Sequence, residues 1–92
     1  MTLDYTKQGR KPSPQQIVAD WKKGGRPDTF TVEYGETYAE FTQHPYPVSI
    51  FSDRERIRWH ANGNGCRGVD RDAVVNLLNV ATAPAKTKDY VG

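Results

Sequence analysis

The side chains with reactive chemistry are few: one cysteine, Cys66, and two histidines, His44 and His60. A thiol beside Arg67 and shortly before a helix has the setting of an activated nucleophile, with a histidine as its base. Nothing in the spacing brings these groups together, so Cys66 reads as a bystander. A metal centre built from Cys66, His44, His60 and Asp70 lacks a ligand pair at chelating spacing, and a lone cysteine allows no intrachain disulfide and no Cys-x-x-Cys motif. The stretch Gly63-Asn64-Gly65-Cys66-Arg67-Gly68 superficially resembles a phosphate cradle. It lacks the Lys-Ser/Thr pair, and Asp70 and Asp72 repel an anion from the helix that follows. Glu33, Glu36 and Glu40 have no sign of a pocket around them. The expectation is a non-enzymatic protein with no metal and no cofactor.

Binding chemistry is better represented. Arg54, Arg56, Arg58 and His60 recur at every second position, which puts them on one side of a strand. With Phe51 and Tyr38 on the same face, they form the basic and aromatic surface on which nucleic-acid platforms stack bases and neutralise phosphates. Lys7, Arg10 and Lys11 near the N-terminus, and Lys22 and Lys23 at a helix end, add sequence-independent phosphate contacts. The bland alternative is a solvated face, on which Glu and Arg pair across strands and arginines guard an edge. A third reading keeps the face but gives it a protein partner, engaged through Glu33 and Glu40 as well as the arginines.

The elements that would position these residues follow from period and punctuation. Residues 1–12 carry no apolar period and read as a flexible basic arm. Ser13 is an N-cap, Pro14 the first helical residue, and Gln16 the far end of a capping box. Ile17, Val18 and Trp21 share one helix face, and Gly24-Gly25 end it. From Thr29 to Ala61 the period becomes two. A turn at Gly35-Glu36 pairs strands near 29–34 and 37–43, with Phe30 opposite Phe41 and Val32 opposite Ala39. A second hairpin, turning at Asp53-Arg54, pairs strands near 48–52 and 55–61, with Ile50 opposite Ile57, Val48 opposite Trp59, and Phe51 opposite Arg56. His44-Pro45-Tyr46-Pro47 reads as the loop between the hairpins. Asp70 then caps a second helix with Val74, Leu77, Leu78 and Ala81 as its stripe and Val69 as a staple residue, and Pro84 marks its limit. The expected fold is α+β: a four-stranded antiparallel meander with an N-terminal and a C-terminal helix packed on one face. The domain spans 13–81, with a disordered tail over 82–92.

Length and composition bound the rest. Ninety-two residues at 36% hydrophobic and a net charge of +2 imply one modest domain. That small total hides a polarity: residues 27–53 carry five acids and no Lys or Arg, whereas the segments on either side are net basic. No apolar run suits a membrane span or a signal-peptide core, so a cytoplasmic protein without membrane contact is expected. In overall character, through the arginine-favouring segment Arg54 to Trp59, few lysines in the domain and polar tails, the chain resembles small early proteins of phages of GC-rich bacteria. That resemblance implies a non-enzymatic protein of the host cytoplasm. Its partner would be DNA or RNA, as in transcription regulation, or alternatively a host protein of the transcription or defence machinery.

Overall fold

The computed structural model describes residues 1–49, 52–63, 65 and 67–82, with side chains for all of these except 45–49 and 52–57. In chain order they form strand β1 (Thr2–Asp4), a 3-10 turn (Thr6–Gln8), helix α1 (Pro14–Lys23), strands β2 (Thr29–Tyr34), β3 (Thr37–Ser49) and β4 (Ser52–Asn62), and helix α2 (Arg71–Thr82). The class is α+β, with a four-stranded sheet in the order β1-β2-β3-β4.

Residues 1–12, expected as a flexible arm, instead supply the first strand. β1 runs parallel to β2, pairing Thr2 with Thr31 and Asp4 with Glu33, so the sheet is mixed and not a pure antiparallel meander. The Thr31 N–H donates to the Met1 carbonyl and the Tyr5 N–H to the Glu33 carbonyl, each at 2.9 Å. A three-residue strand with only Leu3 packed against the core is too short to show period two. Tyr5 anchors the segment: it is buried, and its hydroxyl donates to Asp20 Oδ2 at 2.7 Å.

Both helices start where capping chemistry predicts. Ser13 lies in extended conformation and its side chain accepts from the Gln16 N–H at 3.1 Å, with Pro14 opening α1. The other half of the capping box is replaced, because the Gln16 amide pairs with Gln8, donating to its Oε1 at 2.9 Å. Asp70 caps α2 by accepting from the Ala73 N–H at 3.0 Å. Val69 and Val74, the staple positions, are both buried in the core. The expected tail lies outside the described residues except for Thr82, which closes α2.

The β2–β3 register is the expected one throughout, from Thr29 opposite Thr42 to Tyr34 opposite Thr37. Beyond Thr42 the expectation fails. His44 to Pro47 is not a loop: β3 runs through it as a single 13-residue strand, and β4 pairs with it from Glu40–Asn62 out to Ser49–Ser52. Trp59 therefore faces Gln43 rather than Val48, Arg56 faces Tyr46 rather than Phe51, and Arg58, between them, faces His44. Ile50 and Phe51 lie outside the described residues, as does Cys66.

The prolines explain how the strand survives. The Gln43 N–H donates to the Asp28 carbonyl at 2.9 Å, toward the β2 side. Alternation sends the backbone of Pro45 and Pro47 to that same side. β2 begins at Thr29, opposite Thr42, so among the described residues no strand is there to receive a donor. The two missing N–H groups fall on an open edge and cost the ladder nothing.

One face of the sheet carries the core. Phe30, Val32, Ala39, Phe41 and Trp59 meet Ile17, Val18 and Trp21 of α1 and Val74 and Leu78 of α2, all buried. Trp59 stands edge-on to Trp21 at 5.5 Å and 89°, and Phe30 stacks on Phe41 at 5.1 Å. Each large apolar side chain buried in this way contributes about 1.5–3 kcal/mol. Both helices lie on this face, as expected.

Candidate nucleic-acid interface

The opposite face is open, and register alone orders it. Asp4 and Glu33 lie toward β1, Tyr38 and Glu40 follow on β3, and Arg58 and His60 stand on β4. The acidic end is held anionic at Asp4, whose carboxyl lies below its ordinary range because the Thr6 N–H donates to it at 2.9 Å. The basic end is exposed at Arg58 and His60.

Because β2 begins at Thr29 and Gln43 is the last β3 residue bonded on that side, residues 44–49 of β3 pair, among the described residues, only with β4 and form a two-stranded ribbon. At about 3.4 Å per residue it extends roughly 20 Å beyond the sheet. On β4 the position of Arg56 shares the parity of Arg58 and His60, and Glu55 takes the other parity; beyond Glu55 the register shifts, with Ser52 opposite Ser49 and one extra residue on β4, so Asp53 and Arg54 do not continue the alternation. From Glu55 to Asn62, alternation thus separates the basic positions from Glu55 between the two faces of the strand. In register, Tyr46 is opposite Arg56 and His44 is opposite Arg58. A ladder of directly opposed carboxylate–arginine pairs is therefore not what this register builds.

At the root of the ribbon, His44 and His60 are diagonal neighbours on the open face. Their rings stack with centroids 4.5 Å apart and planes 9° from parallel, and both residues are exposed. Period and punctuation do not foretell this pair, because the expected register keeps His44 in a loop. The visible signal is compositional: a histidine at even parity on each of two neighbouring strands.

The remaining basic residues are not gathered here. Lys22 and Lys23 are exposed at the C-terminal end of α1, in the helical layer on the other side of the sheet. Arg26 lies beyond them in a left-handed conformation (φ 55°) with its guanidinium 5.9 Å from the Trp21 ring centre. Lys7, Arg10 and Lys11 are exposed at the far end. There the Gly35 N–H donates to Thr6 Oγ1, and the Lys11 side chain lies against Gly68. Tyr38, 41% exposed, also lies toward that end. Phe51 lies outside the described residues.

Between β4 and α2 is an open cleft of about 600 Å³. Trp59, His60 and Ala61 form its sheet side, and Arg71, Asp72, Val75 and Asn76 its helix side. The Trp59 indole N–H is buried and finds no acceptor among the described residues. No group of three or more metal-ligating side chains occurs among the described residues, and no described helix is long and apolar enough to cross a membrane. Comparison with family models, curated proteins and solved structures finds no match. The geometry defines a small α+β protein with a mixed four-stranded sheet and a basic ribbon.

Proposed function

We propose that this is a non-enzymatic nucleic-acid-binding protein whose contact surface is the open face of the β3–β4 ribbon. One observation carries the reading: the register sets Arg56 and Arg58 opposite Tyr46 and His44, so cationic and ring-bearing positions share one face of the ribbon. A two-stranded ribbon has the width that the major groove of a duplex admits. The stacked His44–His60 pair adds a ring surface on which an unpaired base extends the column. Arg58 supplies phosphate contact, with Arg56 at the equivalent position outward along the strand and Arg54 beyond it at the register shift.

The test is a titration of short double-stranded DNA, single-stranded DNA and RNA into isotope-labelled protein at two salt concentrations. The reading expects backbone signals of residues 44 and 54–60 to shift, and affinity to fall steeply with salt. Arg58→Ala removes one phosphate-neutralising cation and should reduce the log–log salt slope by roughly 0.7–0.9. Absence of any shift at low salt sinks the reading and leaves a protein partner for the same face.

A further inference from the structure

β4 closes the sheet, and no strand pairs with its outer side among the described residues. The direction of its backbone groups follows from the ladder. With Gln43 directed toward β2, the even residues of β3 are directed toward β4, and their partners Arg56, Arg58, His60 and Asn62 bond inward. The odd residues Glu55, Ile57, Trp59 and Ala61 then present their N–H and C=O groups outward. Two of these, Trp59 and Ala61, also line the cleft against α2. An unpaired strand edge and a side-chain cleft beside it are the two components of strand-addition recognition.

We propose that the outer edge of β4 accepts an extended peptide segment in which acidic and apolar residues alternate. Its backbone pairs with Trp59 and Ala61. On the open face its side chains fall beside Arg58 and His60, with the position of Arg56 next along the strand, and carboxylates complement that row. On the other face they enter the cleft, which Val75, the half-buried Arg71 and one carboxylate, Asp72, line on the helix side, and small apolar side chains fit. A second copy of this chain is the poorer occupant, because a twofold β4–β4 pair sets both arginine rows on one shared face. The segment after Thr82 is also poorer, since it brings Lys86 and Lys88 to the same row. This site is built on the strand edge; it shares Arg58 and His60 with the nucleic-acid surface but does not require that reading.

The probe is a seven-residue peptide alternating Glu and Val, titrated into the full chain, with amide hydrogen exchange read along β4. Protection should rise at Trp59 and Ala61 but not at Arg58 and His60. Affinity should fall at least tenfold for a peptide with Lys in place of Glu, and for one methylated on the backbone nitrogens that face β4. Ala61→Pro removes an outward N–H that the internal ladder does not use and should abolish binding; the methylated peptide gives the same answer should that variant fail to fold. Equal affinity for the lysine peptide, or binding without protection of the odd residues, overturns the proposal. So does protection of Trp59 and Ala61 in the free protein, whether it grows with concentration (a second copy) or not (the chain's own segment).

Discussion

The imidazoles of His44 and His60 stack at 4.5 Å although their residues are not paired: His44 is opposite Arg58, and His60 is opposite Thr42. The contact runs diagonally between two strands, and it exists only because β3 continues without a break through Pro45 and Pro47. Diagonal neighbours on one sheet face are within reach of ring side chains. The stack therefore reports the register of the ribbon root as well as forming part of its surface.

His60→Ala and His44→Ala should each weaken binding of a single-stranded oligonucleotide by about 1–3 kcal/mol, the value of a base–ring stack. The salt slope should change less than it does in Arg58→Ala. Fluorescence titration at two salt concentrations separates the two effects. Equal slopes in all three variants would refute a stacking role for the pair.

Lys7 and Lys11 lie at the end of the sheet away from the ribbon. From Thr37 to His44 is seven residues of strand, or roughly 23 Å, more than twice the Debye length of about 8 Å at physiological ionic strength. Lys7→Glu and Lys11→Glu should leave affinity for a four-nucleotide probe within about twofold at that salt, whereas Arg58→Glu abolishes it. The check is a competition assay with the short probe.

Gly63 follows β4 with φ 144°, and a Cβ there would sit 2.5 Å from the Tyr38 carbonyl oxygen and 3.0 Å from Ala39 Cα. Gly35 also has positive φ, at 69°, but nothing lies within 4 Å of the same point. Both alanine substitutions strain the backbone, and only that at Gly63 drives it into another strand. Gly63→Ala should destabilise by about 2–4 kcal/mol and Gly35→Ala by about 1 kcal/mol. Urea unfolding midpoints give the comparison.

Burial, followed by the hydrogen bond to Asp20 and its charge, raises the Tyr5 phenol well above its ordinary value of 10.0. The fold thus favours the neutral phenol. Its contribution is complete below pH 10 and is lost as pH rises further, because the unfolded chain releases this proton first. Tyr5→Phe should cost about 1–2 kcal/mol at pH 7 through the lost hydrogen bond. The deficit should shrink between pH 10 and 11.5 in paired denaturation curves, and a constant deficit would contradict the account.

Local chemistry was legible from the residues themselves. Ser13-Pro14 and Val69-Asp70 opened the two helices, and Gly35-Glu36 fixed six β2–β3 pairs, because each is a short-range steric or hydrogen-bonding rule. The apolar parity of Phe30, Val32, Phe41 and Trp59 followed from the same rules, as did the shared parity of Arg58 and His60. The tertiary structure decided what depends on where another strand ends. Pro45 and Pro47 read as a break because proline removes a donor, yet a missing donor matters only where a partner waits, and β2 has already ended there. β1 was invisible because three residues have no measurable period; it exists through pairing with β2 and the burial of Tyr5. Those two long-range facts set the register of the ribbon, brought His44 onto His60, and left β4 as the open edge.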